Sequence, residues 1–106
     1  MKNIGIDIVQ VNRIKLDKDF IARILHKDEF EFFNNIVDES EKIRFVAGRW
    51  AVKEAIFKVI DENISPKNIS IGYKNKKPII LNDNLQNIII SISHEKDYAV
   101  AVALSF

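Results

Sequence analysis

The chain has 106 residues, 47% of them hydrophobic, which suits a single domain over residues 1–106 with one modest core. Its formal net charge of +1 argues against a nucleic-acid binder, because such proteins usually carry a clear basic excess. It has no cysteine, no apolar run near the ~20 residues of a membrane span and no signal-peptide pattern, so we expect a cytoplasmic domain without disulfides or membrane contact.

The first predicted element is a strand in the segment NIGIDIVQV, residues 3–11. Its side chains alternate between two faces, with Ile4, Ile6 and Ile8 on one and Gly5, Asp7 and Val9 on the other. Aspartate is depleted in strands, so Asp7 in the middle of one requires a reason. It is either a structural residue held by hydrogen bonds or a ligand.

Residues 12–37 form a basic and then an acidic region, in which we predict two short helices. The first part is marked by Arg13, Lys15, Lys18 and Arg23, and the second by Glu29, Phe30, Phe32 and Phe33. The basic side chains are either a solvated surface or a docking site for an acidic partner.

A long helix is predicted over about 39–61. Asp38 followed by Glu41 fits a capping box, in which Asp38 accepts from the backbone and Glu41 reaches back. The segment DENISP should end the helix, with Asn63 in the left-handed conformation and Pro66 as a stop.

The two sides of this helix differ in character. At ~100° per residue, the apolar residues Phe45, Val52, Ile56 and Val59 fall opposite Glu54, and we expect this stripe to be buried. Around Glu54 lie Lys58, Trp50, Ala47 and Ala51. Glu54 and Lys58 are four residues apart and can form an ion pair. Arg49 lies beside the apolar stripe, so it needs an anionic partner, a ligand or a subunit boundary.

Four further strands are predicted after the helix. They lie in the segments NISIGY, NKKPIIL, IIISIS and YAVAVALSF. In the last of these, alanines at 99, 101 and 103 form a small-residue face that lets a helix pack closely. The order predicts an α+β domain, in which one long central helix and short helices pack on a largely antiparallel sheet.

Carboxylates on different elements provide the candidate chemistry. Asp7 and Glu54 lie on a strand and a helix that can pack together. Two carboxylates with open positions suit Mg²⁺, which keeps waters and takes further oxygens from substrate phosphates. Lys58 adds a point charge for a phosphate oxygen. His94, at the end of a strand in SISHE, either donates to an anion or stabilises a turn.

Three separated motifs carry a resemblance that spans the chain. They are GIDIV at 5–9, FVAGRWAVKEA at 45–55 and SISHEKDYAVA at 91–101. In their order and spacing, the chain resembles the holo-[acyl-carrier-protein] synthases, a family of 4'-phosphopantetheinyl transferases. The resemblance implies transfer of the phosphopantetheine arm of coenzyme A to a serine of apo-acyl carrier protein, in support of fatty acid and lipid biosynthesis. It also implies Mg²⁺ and a homotrimer with coenzyme A bound between subunits.

The resemblance assigns roles to individual residues. Asp7 and Glu54 match the metal ligands, and Lys58 matches the lysine near the reacting phosphate, which makes these three the expected catalytic residues. The expected coenzyme A contacts are Arg49, Lys58, Lys77, Pro78 and His94. Arg13 and Arg23 stand where family members dock the acidic carrier protein. The general base stays open, since Glu54 can act directly or through a metal-bound water.

The chain departs from the family pattern at several positions. Asp61, Glu62 and Asn63 replace a glycine-rich turn, Lys76 replaces a glycine, Phe57 replaces a small polar residue and Glu95 replaces a threonine. Acidic residues near a phosphate site weaken coenzyme binding unless they point away or hold metal. Two other interpretations follow from the residues: a metal-dependent nuclease, or a non-catalytic nucleotide-binding adaptor if the altered turn abolishes coenzyme binding.

Overall fold

The computed structural model describes residues 2–106, which form three α-helices and five strands. The strands are β1 (Asn3–Gln10), β2 (Ile71–Lys74), β3 (Lys77–Ile80), β4 (Ile88–His94) and β5 (Tyr98–Ser105). The helices are α1 (Lys18–Ile24), α2 (Glu29–Asn35) and α3 (Glu39–Phe57). Short 3₁₀ turns cover Val11–Arg13, Pro66–Asn68 and Asp83–Leu85. The predicted α+β class and the short-helix region are confirmed. No helix in this part of the chain is long and apolar enough to cross a membrane.

All strand pairs are antiparallel. One sheet has the order β1-β5-β4, and β2 and β3 form a separate two-stranded hairpin. The core lies between α3 and the three-stranded sheet, where Ala99, Ala101 and Ala103 are buried as predicted. Sheet and helix therefore meet through small side chains.

Two glycines allow this close approach, one at the carboxyl end of α3 and one at its middle. A Cβ at Gly5 would collide with the backbone carbonyl oxygen of Ala55 and lie 2.9 Å from the Cβ of Lys58. A Cβ at Gly48 would collide with Nε2 of His94. The first contact sets the carboxyl end of α3 against β1, and the second sets its middle against the end of β4.

The start of α3 follows the sequence prediction, but its end does not. The Asp38 carboxylate accepts a hydrogen bond of 3.0 Å from the backbone N–H of Glu41, as the capping box predicts. The helix ends at Phe57, four residues before the predicted Asp61. The prediction that Asn63 adopts the left-handed conformation was wrong, because the non-glycine residues of 2–106 with positive φ are Asn75 and Lys76. The chain instead turns at Lys58 and buries Val59, which stops the helix earlier.

Helix α3 is covered on more sides than its apolar stripe predicts. Val52, Ile56 and Val59 are buried as expected, and Phe45 is half-buried. Ala47 and Ala51, predicted on the side of Glu54, are also fully buried. The short helix α1 packs on that side while the sheet packs on the other, so Glu54 is half-buried instead of solvated.

The outer face of the three-stranded sheet is apolar and exposed. On β1, Ile4, Ile6 and Ile8 are 71%, 61% and 63% exposed, since the Gly5–Asp7–Val9 face is the one that packs on α3. The register places these isoleucines opposite Leu104, Val102 and Val100 of β5. A continuous apolar surface thus covers β1 and β5.

Candidate active site

Asp7 reaches the site because β1 turns its Gly5–Asp7–Val9 face toward α3. Its side chain is 23% exposed and lies beside Lys58, the residue that caps α3. The close approach at Gly5 brings the end of α3 near enough for this contact. The predicted packing of the Asp7 strand on the Glu54 helix is therefore present.

Lys58 pairs with Asp7, and the predicted Glu54–Lys58 ion pair is absent from the described residues. The Lys58 Nζ donates to the backbone oxygen of Ile6 at 2.6 Å and lies 3.7 Å from Oδ1 of Asp7. Lys58 caps α3 with right-handed helical backbone angles, so its backbone stays next to the turn that carries Glu54 and only its side chain departs from the predicted pair. Its ammonium turns toward β1 instead.

The ionised form of the Asp7 carboxyl group is only partly stabilised by its surroundings. Burial raises its pKa above the ordinary value, and the charge and hydrogen bonding of Lys58 lower it only in part. A further positive charge near Asp7 would favour its ionised form.

Asp7 and Glu54 border one cleft of about 410 Å³ between β1, the Val11–Arg13 turn, α1 and α3. Arg13 lies on its rim, and the rings of Phe20 and Trp50, 4.8 Å apart, form an apolar wall. Within residues 2–106 no three histidine, cysteine or acidic side chains come together as a metal cluster. Two carboxylates facing one open cleft nevertheless fit Mg²⁺, which needs few protein ligands and keeps several waters.

His94 lies next to Gly48 at the middle of α3, outside the cleft of Asp7 and Glu54. Burial lowers the pKa of its imidazole, and the positive charges of Arg49 and Arg44 lower it further. The imidazole is therefore neutral at pH 7 and sits in a positive potential. An anion bound there would be attracted by the two arginines and would raise this pKa.

Arg49 is buried within the chain and does not reach the cleft of Asp7 and Glu54. It is 3% exposed, its Nε donates to Glu29 at 2.7 Å, and its Nη2 donates to the Tyr73 hydroxyl at 3.0 Å. Of the three partners that the sequence allows for Arg49, the structure supplies the anionic one. A coenzyme contact by Arg49 stays a prediction, and its guanidinium has little exposed surface for one.

Glu29 and Lys53 are the charged residues that sequence reasoning missed. Glu29 is fully buried and also forms an ion pair with Lys53, which is 1% exposed. Burial lowers the pKa of Lys53 to about 8, although Glu29 opposes this shift. The signal was present in α3: Arg49 and Lys53 are four residues apart, and two cations on one buried face require an acid.

The remaining predicted residues lie at separate places. Arg23 is exposed on α1, one residue before its end. Lys77 and Pro78 begin β3 in the separate hairpin. The structure thus brings together Asp7, Glu54, Lys58 and Arg13. Arg23 is exposed on α1, the helix that supplies Phe20 to the cleft wall, whereas His94 and the hairpin residues lie on other surfaces of the single chain.

The acidic residues that depart from the family pattern do not line the Asp7 cleft. Asp61 and Glu62 border a different cleft, together with Asn3 at the start of β1 and its partner Ser105 at the end of β5. The Glu95 carboxylate accepts from the backbone N–H of Asp97 at 3.1 Å and so stabilises the turn between β4 and β5. These acids therefore do not oppose an anion at Asp7.

Comparison with known proteins identifies related chains. The family model of the 4'-phosphopantetheinyl transferase superfamily matches residues 3–103. A holo-[acyl-carrier-protein] synthase of Mycoplasma mycoides is 54% identical over 104 residues, covering 98% of this chain and 94% of that protein. A synthase of Geobacillus is 39% identical over 109 residues, covering 92% and 90%.

Solved structures show the same similarity. A holo-(acyl-carrier-protein) synthase from Bacillus anthracis, in complex with CoA (3',5'-ADP), matches with a TM-score of 0.86 at 35% identity, covering 96% of this chain and 93% of that one. The Helicobacter pylori synthase in complex with coenzyme A matches with a TM-score of 0.77 at 30% identity, covering 95% and 97%. The resemblance predicted from the three motifs is confirmed.

Proposed function

The chain belongs to the 4'-phosphopantetheinyl transferase superfamily, and we propose that it transfers the 4'-phosphopantetheine group from coenzyme A to a serine of apo-acyl carrier protein. The products are holo-acyl carrier protein and adenosine 3',5'-bisphosphate, in support of fatty acid and lipid biosynthesis. The observation that carries this proposal is that Asp7 of β1 and Glu54 of α3 line the same cleft, and that Lys58 lies beside Asp7.

In this reaction the serine hydroxyl gives up its proton to a base, for which Glu54 is the candidate, and its oxygen forms a bond to the phosphorus on the pantetheine side. The bond from that phosphorus to the oxygen of the bisphosphate breaks. Negative charge grows on the leaving oxygen. Lys58 can stabilise it, since its side chain is 52% exposed and held only by Ile6 and Asp7. Its ammonium can turn from the Ile6 carbonyl to a phosphate oxygen without unfolding the helix.

Asp7 and Glu54 are the residues that would hold Mg²⁺. The metal supplies charge neutralisation for the diphosphate when it is bound. The chain's own contribution is to fix the two carboxylates on rigid elements, a strand and a helix that touch through Gly5. Lys58 offsets part of the cost of burying the Asp7 carboxylate, and a bound Mg²⁺ would offset more of it.

We assign His94, Lys77 and Pro78 to the nucleotide end of coenzyme A. The positive potential that Arg49 and Arg44 create at His94 supports this assignment for a phosphate group. We assign Arg49 to this potential and to the buried ion pair with Glu29, because its two donor contacts and its burial leave little surface for direct coenzyme contact.

We further propose that the protein is a cytoplasmic homotrimer with its sites at subunit boundaries. The exposed isoleucine face of β1 supports this, because contiguous exposed apolar surfaces commonly mark protein interfaces. A second, shallow cleft is lined by Ile6, Ile8 and Val100 together with Asp7 and Lys58. A subunit packed on the apolar face would therefore also border the catalytic residues.

The carrier protein would dock on the basic side chains near the cleft. Arg13 is exposed on the rim, and Arg23 is exposed on the adjacent helix α1. Acidic partners are steered to such side chains by charge, so added salt should weaken the encounter.

The direct test uses mass spectrometry of apo-acyl carrier protein mixed with coenzyme A, Mg²⁺ and the enzyme. We expect a phosphopantetheine adduct on the carrier with the wild type, and a loss of at least about a hundredfold in rate with Asp7→Ala or Glu54→Ala. Asp61→Ala is the matched control, because Asp61 borders the other cleft, and it should remain active. Wild-type binding of coenzyme A without any adduct would instead support a non-catalytic adaptor.

A further inference from the structure

Two lysines of α3 hold the ends of the two short helices. Lys42 donates to the backbone oxygen of Phe33 in the last turn of α2 at 2.7 Å. Lys53 donates to the backbone oxygen of Ile24, the last residue of α1, also at 2.7 Å. Cations stabilise helix carboxyl ends because the last carbonyls there lack intrahelical donors. Both contacts are lysine-to-carbonyl hydrogen bonds, but they fix different helices, and the Phe33 carbonyl also accepts from the backbone N–H of Ile36.

The contact of Lys53 is part of a buried cluster that fixes the whole connection between α1 and α2. Glu29, the first residue of α2, accepts from the backbone N–H of His26 at 2.8 Å, from Arg49 and from Lys53. The end of α1, the turn after it and the start of α2 are therefore all held to one face of α3. Lys53 is the member of the cluster that contacts α1 itself.

Helix α1 depends strongly on such a contact. It has seven residues and buries only Ile21 and Ile24, so it is too short to be stable without tertiary support. Its Phe20 packs on Trp50 as one wall of the Asp7–Glu54 cleft, and its Arg23 precedes the carbonyl that Lys53 holds. A displacement of α1 would thus move both the cleft wall and an arginine on the outside.

We propose that Lys53 is a positioning residue for carrier-protein docking, which sets α1 and its Arg23 relative to the cleft without touching the substrates. This inference rests on the proposed function. It predicts a specific kinetic effect, because α1 is the docking side of the cleft whereas His94, Lys77 and Pro78 lie on other elements.

Lys53→Met is a suitable variant because it keeps the cluster electrically balanced. In the wild type two buried cations, Arg49 and Lys53, share one acid, Glu29. Removing Lys53 leaves one cation with one anion, and methionine retains the apolar stem of the side chain. The protein should therefore fold, while the Ile24 carbonyl loses its donor.

The experiment measures KM for apo-acyl carrier protein and for coenzyme A separately in the wild type, Lys53→Met, Lys53→Arg and the control Lys42→Met. We expect Lys53→Met to raise the carrier KM about tenfold while the coenzyme A KM stays within about twofold. Lys53→Arg should recover part of the loss, and Lys42→Met should change neither constant. Hydrogen exchange of the Leu25 amide, which bonds to Ile21, should be faster in Lys53→Met only.

The inference is overturned if Lys53→Met leaves the carrier KM unchanged, or if it raises both constants alike or lowers only kcat, since Lys53 would then act at the phosphate centre. If Lys53→Met does not fold, Lys53→Leu, a second apolar variant without a donor, decides: an unchanged carrier KM together with unchanged Leu25 exchange again overturns it. A wild type that forms no adduct overturns the proposed function as well. An active wild type with an unaffected variant overturns only the role of Lys53.

Discussion

The ammonium of Lys58 lies 3.7 Å from Oδ1 of Asp7 and ties the end of α3 to the middle of β1. The ion pair only partly offsets the cost of burying the Asp7 carboxylate, since the pKa of Asp7 remains raised. The site therefore holds a negative charge that the fold alone does not stabilise. A bound cation would stabilise it, which links the electrostatics of Asp7 to its proposed use.

Replacing Asp7 by asparagine should make the protein more stable and abolish transfer. A carboxyl whose folded pKa is raised contributes stability below its ordinary value, near pH 4, and this contribution is lost as pH rises through the folded pKa. Asparagine does not ionise, so the variant does not lose stability as pH rises. We expect Asp7→Asn to unfold at a higher urea concentration than the wild type at pH 7 without added metal, and the gain to shrink toward pH 4.

The paired measurement is urea unfolding at pH 4 and pH 7 for both proteins. Asp61→Asn serves as the control, because Asp61 is exposed and lies at the other cleft. A variant that is less stable than the wild type at pH 7 would contradict the electrostatic account of Asp7.

Lys76→Gly should stabilise the β2–β3 hairpin. Asn75 and Lys76 have φ values of 53° and 67° and form the two-residue turn between Lys74 and Lys77. A turn with two positive φ values favours glycine, and a side chain in this region costs about 1 kcal/mol. We expect Lys76→Gly to raise the free energy of unfolding by about 0.5–1 kcal/mol, measured by chemical denaturation.

The matched control for the turn is Lys74→Gly in the adjoining strand. Lys74 is exposed and has no positive φ, so glycine there adds only chain entropy and should cost about 0.5–1 kcal/mol. If both substitutions destabilise the protein alike, the strain assigned to Lys76 is absent.

Glu29→Gln should be among the most destabilising conservative substitutions in the chain. It leaves Arg49 and Lys53 buried without an anion, and removing one partner of a buried ion pair typically costs about 3–5 kcal/mol. Arg49→Met should cost less, because one acid and one base remain. The exposed Glu31→Gln on the same helix should change stability by less than about 0.5 kcal/mol, all measured by urea unfolding.

Local patterns in the sequence predicted much of the fold. The alternation in β1 and β5 and the Asp38 cap are confirmed because each depends on neighbouring residues. The partner of Arg49 was not predictable in this way: Glu29 lies 20 residues earlier, on a helix whose placement depends on tertiary packing.

The candidate site was also only partly predictable, because local periodicity does not show which elements pack against each other. Periodicity gave the two faces of β1, but it could not show that the isoleucine face is the exposed one, since both faces contain apolar residues. The 3.6-residue period correctly placed the backbone of Lys58 one turn after Glu54, since Lys58 keeps helical angles. It could not show that the long side chain has partners on β1, the Ile6 carbonyl and Asp7, which are distant in sequence.

The last prediction is that a charge in the exposed sheet face separates the subunits. Ile6 lies on β1 opposite Val102 and is 61% exposed in the single chain. If the chain worked alone, Ile6→Lys would be an ordinary surface substitution. In a trimer packed through this face it buries an unpaired charge, which costs about 3–5 kcal/mol and weakens association about a hundredfold or more.

We therefore expect Ile6→Lys to sediment as a folded monomer with little transfer activity, because the neighbouring subunit that borders Asp7 and Lys58 is lost. Val37→Lys is the matched control: Val37 is 96% exposed and lies between α2 and α3, away from the sheet, so this variant should sediment as the wild type and stay active. The trimer hypothesis fails if the wild type is an active monomer. It also fails if Ile6→Lys remains assembled at micromolar concentration, since a buried lysine should not be tolerated there.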